Sequence, residues 1–215
     1  MNVLITGSAG GIGLAAAEKF LAEGHRVFGV DLRESAVTHD AYTHFRADIG
    51  GEDLPEIPEP AILINSAGTI DEAKAIDVNL TAAMHFAEHY LESPALRSVL
   101  FIASASARSG AEFPRYVASK AGIVGYMKNL ALALAPRGVT VNSISPGGVN
   151  TAMNAHILDD PKLRAAVLAE TLLGKWAEPE EIADLAYYLT VINRSITGED
   201  ILIDNGEMLK SNFIW

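Results

Sequence analysis

Short apolar runs alternate with segments of helical period along almost the whole chain, and this alternation constrains the fold more than any other feature. Strand-like runs fall at 3–6, 26–30, 43–46, 61–64, 98–103, 139–144 and 201–203. Helices are predicted over 12–22, 71–91, 115–135, 161–172 and 180–190. Strands alternating with helices build a parallel sheet with helices on both faces. The runs are continuously apolar, as strands covered on both sides are. The acidic, proline-rich stretch 50–60 is too short to act as a linker between domains and is read as replacing a crossover helix. Hydrophobic residues make up 49% of the 215 and charged residues 20%, which supplies a large core and excludes a disordered chain. One α/β domain over 1–215 is expected, with a seven-stranded parallel sheet.

Sixteen Lys and Arg face 27 Asp and Glu, a net charge of −11. With no basic cluster, neither a nucleic-acid partner nor an anionic membrane surface is expected. There is no cysteine, which excludes disulfides, thiol nucleophiles and thiolate metal sites. No apolar run approaches the roughly 18–20 residues that cross a bilayer. The N-terminus enters a strand directly at Asn2-Val3-Leu4-Ile5, with no signal-peptide pattern, so a cytoplasmic protein is expected. Acidity does not forbid a phosphate-bearing ligand, because backbone N–H groups at a helix start hold phosphate without Lys or Arg.

Such a helix start follows the first strand: Thr6-Gly7-Ser8-Ala9-Gly10-Gly11-Ile12-Gly13. Glycines there permit positive φ and let the backbone approach a pyrophosphate. The spacing is Gly-x-x-x-Gly-x-Gly; a Gly-x-Gly-x-x-Ala register at Gly11, Gly13 and Ala16 begins too far past the strand to form the tight turn. In this context the sheet is Rossmann-like and doubly wound. Asp31 ends the second strand. A carboxylate there accepts hydrogen bonds from a ribose diol and repels a 2′-phosphate, so NAD(H) is favoured. Arg33, two residues on, softens that preference and leaves NADP(H) open.

Tyr116-Val117-Ala118-Ser119-Lys120 lies within the 115–135 helix. Positions i and i+4 share a helix face. A cation beside a phenol stabilises the phenolate, moving its pKa from about 10 towards working pH. A tyrosine so tuned can pass a proton to or from an alcohol oxygen. Ser104 ends the fifth strand, where ligands of parallel sheets bind. Ser106 and Ser109 are nearby competitors for that place.

With these motifs in this order, the chain resembles the short-chain dehydrogenase/reductase superfamily over essentially its whole length. Thr6–Gly13 looks like the TGxxxGxG turn, with Gly7, Gly11 and Gly13 on its glycines and Ser8, Ala9 and Ile12 between them. Asp48-Ile49 matches the position that contacts adenine. Asn65-Ser66-Ala67-Gly68 resembles the NNAG motif, with Ser66 in place of the second Asn. Asn79, Ser104, Tyr116 and Lys120 fall on the catalytic tetrad. Pro146, Gly147, Val149 and Thr151 lie in a segment similar to the PGxxxT stretch beside the nicotinamide, and 176–206 is similar to the terminal helix and last strand. The resemblance implies roles. Tyr116 is the general acid in ketone reduction and the base in alcohol oxidation. Lys120 lowers the pKa of Tyr116 and binds the nicotinamide ribose. Ser104 holds the substrate oxygen, and Asn79 holds a water linking Lys120 to solvent.

Against the pattern the resemblance implies, the chain is trimmed at 50–60 and between Gly68 and Asn79, a loop that borders the substrate cleft in that family, so a more open cleft is expected. The interval from Ser104 to Tyr116 is about one residue short, so Ser106 is the second candidate for the catalytic serine. The layout is similar to the hydroxysteroid dehydrogenase/carbonyl reductase subgroup. Residues 146–172, with Met153, His156, Ile157 and Leu158, read as a flap over the substrate. His85 and His89 are spaced i, i+4 but lack a third ligand, and read as surface or interface histidines rather than a metal site. The 115–135 helix is apolar nearly all round (Val117, Ile123, Val124, Leu130, Leu132). Its second face is expected against a partner subunit, in a homodimer or homotetramer, and the apolar tail Phe213-Ile214-Trp215 against its own or a neighbouring subunit. The expected function is NAD(H)-dependent interconversion of a secondary alcohol and a ketone on a small or medium apolar substrate. The alternative is a dinucleotide-binding regulator or scaffold without turnover, which would not need the four tetrad residues. A nucleotide-sugar epimerase or dehydratase is third, since such relatives usually carry a longer C-terminal region.

Overall fold

The computed structural model describes residues 1–35, 37–111 and 113–209; the expectation for 213–215 lies outside them. Seven strands form one sheet: β1 (Asn2–Thr6), β2 (Arg26–Asp31), β3 (Tyr42–Arg46), β4 (Ile62–Asn65), β5 (Ser98–Ile102), β6 (Thr140–Pro146) and β7 (Asp200–Ile203). Their order is β3-β2-β1-β4-β5-β6-β7, and every neighbouring pair is parallel. The α-helices are α1 (Gly11–Ala22), α2 (Ala83–Tyr90), α3 (Ser106–Ser109), α4 (Pro114–Leu134), α5 (Ala155–Leu158), α6 (Pro161–Ala169) and α7 (Pro179–Tyr187). This is the Rossmann-like, doubly wound sheet that the alternation predicts.

Side chains of successive strand residues point to opposite faces, and here both faces are covered. Val3, Ile5, Ile62, Ile64, Leu100 and Ile102 join Phe20 of α1 and Ile182 and Ala186 of α7 in one cluster. Leu4, Leu63, Val99 and Phe101 join Phe86 of α2 and Ile123 and Met127 of α4 in the other. Each large side chain so buried contributes about 1.5–3 kcal/mol. Three consecutive alanines, Ala15, Ala16 and Ala17, are buried on α1 and let it approach the sheet closely.

Several boundaries differ from the sequence expectation. The helix expected over 71–91 becomes regular only at residue 75, and Asp77–Ala82 is π-helical before α2. The helix expected over 180–190 also ends in a π-helical turn, Tyr188–Ile192, and the one expected over 161–172 stops at Ala169. Apolar periodicity at 3.6 residues reads a π turn as ordinary helix, because only one residue is inserted. The four-residue helices α3 and α5 are too short to show a period. Among the described residues no helix joins β3 to β4. Instead Leu54 and Ile57 pack on the core and the Tyr90 hydroxyl donates to the Pro55 carbonyl at 2.6 Å. The 50–60 stretch thus takes the place of a crossover helix. On α4, Leu132 is 78% exposed on the face turned away from the sheet. No described helix is long and apolar enough to cross a membrane.

Candidate active site

The strand order reverses direction at β1 and β4, which lie side by side while their connections run to opposite edges. Ligands of such sheets bind in the crevice at the carboxyl ends of these strands. Here β1 runs into the glycine turn. Gly7 (φ +69°) and Gly11 (φ +52°) occupy the left-handed region. A Cβ on Gly13 would stand 2.2 Å from the Gly7 carbonyl oxygen, so α1 can rest on the turn only without one. Thr6 Oγ1 accepts from the backbone N–H of Ser66 and of Ala67, each at 3.0 Å. That ties the first turn to the Asn65–Gly68 loop. Gly10, the N-cap of α1, offers no capping side chain, so the helix start presents its N–H groups outward. A cavity of about 200 Å³ runs from Gly11 along Leu14 and Glu18 of α1 to Thr151 and to Pro179 at the start of α7.

Asp31 is 9% exposed at the end of β2. Its carboxylate accepts from Ala9 N–H (3.0 Å), from Arg33 N–H (2.9 Å) and from the Arg33 guanidinium (3.3 Å). Burial pushes its pKa up, but the Arg33 N–H, the guanidinium and the Ala9 N–H outweigh burial and hold it below the usual carboxylate value. Ser8, beside Ala9, is fully buried and receives a hydrogen bond from the Tyr42 hydroxyl. Asp48 is exposed and caps its own turn through Gly50 N–H, while Ile49 is buried in the core. Asn65 is 4% exposed, and neither its Oδ1 nor its Nδ2 has a partner among the described residues. A buried amide left unsatisfied at the crevice, together with glycines that admit no Cβ, fits a dinucleotide with a pyrophosphate and a polar ribose.

The four tetrad positions come from three elements around the end of β5. The Lys120 ammonium, buried on α4, donates to the Ile102 carbonyl at 2.8 Å. It lies 5.8 Å from the centroid of the Tyr116 ring. Burial pushes its pKa down to about 8. Gly68 makes room for it: a Cβ there would be 3.5 Å from Lys120 Nζ and 3.1 Å from Asn79 Oδ1. Asn79 sits in the π-helical turn and is 2% exposed. Its Oδ1 accepts from Thr69 N–H (2.7 Å), and its Nδ2 donates to the Thr69 carbonyl (2.9 Å) and to Ser119 Oγ (3.1 Å). Ser119 in turn donates to the Tyr116 carbonyl at 2.7 Å. Ser104 Oγ accepts from both the N–H (3.2 Å) and the hydroxyl (3.0 Å) of Ser106. Ser109, on the far end of α3, is exposed.

The segment after β6 behaves differently from the other motifs. Pro146 closes β6 and accepts from Ala105 N–H. Gly147 and Gly148 are crowded from the protein side, by Asp204 and by the Trp176 ring, so packing alone demands glycine at both. Val149 is buried, and its carbonyl accepts from Asn154. The Thr151 methyl lies 3.4 Å from where a Gly11 Cβ would be, which brings this segment beside the glycine turn. The flap residues form a 3-10 turn (Ala152–Asn154), α5 and α6. His85 Nε2 lies 3.1 Å from the Gly51 carbonyl oxygen, and His89 meets Tyr90 edge-on. A larger cavity of about 360 Å³, lined by Glu56, Ile57, His89, Tyr90 and Pro94, is at the amino ends of the strands and holds none of the tetrad.

The sequence reading passed over Thr6, Ser119, Glu72 and the Arg108–Asp200 pair. Arg108 and Asp200 meet at 2.8 Å, and Asp200 also accepts from Ser143 and Ser145, fastening α3 to β6 and β7. Ser119 had a legible signal, since i+3 from Tyr116 on a buried helix places a hydroxyl at its carbonyl. The others join residues far apart in sequence; the one sign of them is at Glu72, where the helix start Phe113-Pro114 offers no acceptor of its own.

A glycine turn at the switch point of a doubly wound sheet, with Tyr and Lys one helical turn apart beside a strand-end serine, defines a dinucleotide-dependent class of oxidoreductase. The chain belongs to the short-chain dehydrogenase/reductase superfamily: the family model described as Enoyl-(Acyl carrier protein) reductase matches residues 63–207. "Short chain dehydrogenase prhI" of Penicillium brasilianum is 31% identical, over 94% of this chain and 95% of that protein. "3beta-hydroxysteroid dehydrogenase 1" of Eggerthella lenta is 30% identical, over 99% and 95%. A solved 4-hydroxyisoleucine dehydrogenase complexed with NADH superposes with a TM-score of 0.84 at 27% identity, covering 98% of this chain and 99% of that one.

Proposed function

We propose that this protein is an NAD(H)-dependent oxidoreductase that interconverts a secondary alcohol and a ketone, with Tyr116 as general acid/base and both sites in one domain over 1–215. The observation that carries this reading is the buried Lys120 ammonium 5.8 Å from the Tyr116 ring. A cation beside a phenol favours the phenolate, and that contact is what supports the reading. The same placement would let Lys120 reach a nicotinamide ribose. When bound, the dinucleotide supplies or takes the hydride. The protein's role is to bind, orient and move one proton at Tyr116 Oη. The glycine turn and Asn65 hold pyrophosphate and ribose, with Asp48, Ile49, Ala67, Gly68 and the 146–151 segment completing the cleft. A scaffold without turnover would gain nothing from burying an ammonium, so that alternative is the weaker.

Ser104 rather than Ser106 is the serine that holds the substrate oxygen. Both lone pairs of Ser104 Oγ are taken by Ser106, so its own proton is left to donate to a carbonyl. The Ser106 hydroxyl is already committed. For Asn79, the side-chain amide is engaged with Thr69 and Ser119. A water between it and Lys120 must therefore use the remaining Oδ1 lone pair or the Asn79 carbonyl.

The test is a panel of secondary alcohols and apolar ketones with NAD(H) and NADP(H), followed by nicotinamide absorbance; no turnover with any member overturns the reading. Cofactor choice has its own prediction. Asp31→Ala should raise the Kd for NADH about tenfold, about 1.4 kcal/mol, because the ribose diol loses its acceptor. The Kd for NADPH should stay or fall, since Arg33 is released from its 3.3 Å pair to meet a 2′-phosphate. Equal losses for both dinucleotides would remove Asp31 from the selection. We further propose a homodimer or homotetramer built on the exposed face of α4, readable by sedimentation.

A further inference from the structure

The first turn of α4 carries Tyr116, yet this helix starts without a cap of its own. Its N-cap residue is Phe113, whose side chain has no acceptor, and Pro114 opens the helix. A helix start leaves its first N–H groups without intrahelical partners. Pro114 has no N–H, and Val117 N–H already reaches the Phe113 carbonyl at 2.9 Å. That leaves the N–H groups of Arg115 and Tyr116. Both go to one side chain from elsewhere in the chain: Glu72 Oε1 accepts from Arg115 at 3.1 Å and from Tyr116 at 3.0 Å, and Oε2 accepts from Arg115 at 3.2 Å. Glu72 stands in the shortened connector between Gly68 and Asn79. That connector is itself folded tightly, through Thr69 on Asn79 and Asp71 on Ala73. The trimmed loop therefore does not simply leave the cleft open; it lies across the helix start and caps it. A carboxylate at a helix N-terminus is also favoured by the helix dipole.

We propose that Glu72 is a positioning residue for the reaction: its carboxylate is the cap of α4 and fixes the turn from which the Tyr116 phenol projects. The inference rests on the Tyr116 reading above, but its structural half can be tested apart from it. The test uses the full chain as wild type, Glu72→Ala and Glu72→Gln. Three quantities are measured: amide hydrogen exchange at Arg115 and Tyr116, the Kd for NADH, and kcat with a substrate found in the panel. In Glu72→Ala the two amides should exchange at least tenfold faster. Turnover should fall about tenfold or more, and the Kd for NADH should stay within twofold. In Glu72→Gln the single amide oxygen can still accept from both N–H groups, as Oε1 does now, so kcat should recover to within threefold of wild type. Unchanged exchange at both amides in Glu72→Ala overturns the proposal whatever the activity. So does faster exchange with wild-type kcat, or a loss of NADH affinity as large as the loss of kcat. Should Glu72→Ala fail to fold, Glu72→Asp replaces it. Its carboxylate falls short by one C–C bond, about 1.5 Å, and a severalfold drop in kcat with faster exchange is expected; wild-type values there overturn the proposal. If Tyr116→Phe proves fully active, the functional reading fails, while the exchange arm still decides whether Glu72 is the cap.

Discussion

Tyr116→Phe should lower kcat by about a hundredfold to ten-thousandfold, the range that a positioned general acid or base contributes, while the Kd for NADH stays within about threefold of wild type. The substitution removes one oxygen and keeps the ring, and Tyr116 is only half-buried, so packing of the α4 first turn changes little. Ser119 holds the Tyr116 carbonyl, not its phenol, and Glu72 holds its N–H; both contacts survive in the variant. The Lys120 ammonium keeps its bond to the Ile102 carbonyl. What is lost is the phenolic oxygen, the group proposed to exchange a proton with the substrate oxygen. Steady-state kinetics and NADH fluorescence titration check the two halves of the expectation. More than a tenth of wild-type turnover in Tyr116→Phe would remove Tyr116 from the chemistry.

The regions of this molecule that repeat a local pattern were legible in the sequence. Strand positions follow from runs such as Val3-Leu4-Ile5, buried on both faces of the sheet, and the parallel sense of the sheet follows from the helices between them. Gly7 and Gly11 announce a turn that needs positive φ, and the structure gives them +69° and +52°. Tyr116 and Lys120 are spaced to share a face, and the ring-to-ammonium contact shows that they do.

What stayed hidden depends on where the chain folds back. The π-helical turn at Asp77–Ala82 buries Asn79 against Thr69 and Ser119, and a one-residue insertion in a helix leaves no compositional trace. The proposed preference for Ser104 over Ser106 rests on the direction of one hydroxyl–hydroxyl bond, which no sequence pattern carries. Glu72 lies 44 residues before Tyr116. Only the missing acceptor at Phe113, ahead of Pro114, hinted that a cap had to come from elsewhere. At Gly147 and Gly148 the motif was legible but the packing was not: Asp204 and Trp176 crowd both positions from the protein side, so glycine is required there whatever else the segment does.

Lys120→Met should abolish turnover and at the same time stabilise the free protein at neutral pH. Burial lowers the Lys120 pKa from an ordinary 10.5 to about 8, so the folded state disfavours the charged form. The unfolded chain still holds its proton until about pH 10.5. Below about pH 8 both states are protonated and the folded protein bears the full penalty of a buried ammonium. Between about 8 and 10.5 the folded state has released a proton that the unfolded state retains, so stability rises with pH across that window. At about 1.4 kcal/mol per tenfold, the penalty at pH 7 is on the order of 3 kcal/mol. Met has a similar length and no charge, so it removes this penalty. It also leaves the Ile102 carbonyl without its donor, a loss of about 1 kcal/mol. The net expectation is a variant roughly 2 kcal/mol more stable than wild type at pH 7, with the advantage gone by about pH 10 and slightly reversed above it, where only the unpaired carbonyl counts. Urea unfolding of both proteins at about pH 7, 8.5 and 10 measures the gap directly. A gap that does not change with pH, or a variant less stable at neutral pH, would mean that the ammonium is well solvated in the folded protein. It would then lack the low-dielectric setting in which its field acts strongly on the Tyr116 phenol. The same buried charge thus links the two measurements: the site is expected to trade stability for a lysine held where water cannot screen it.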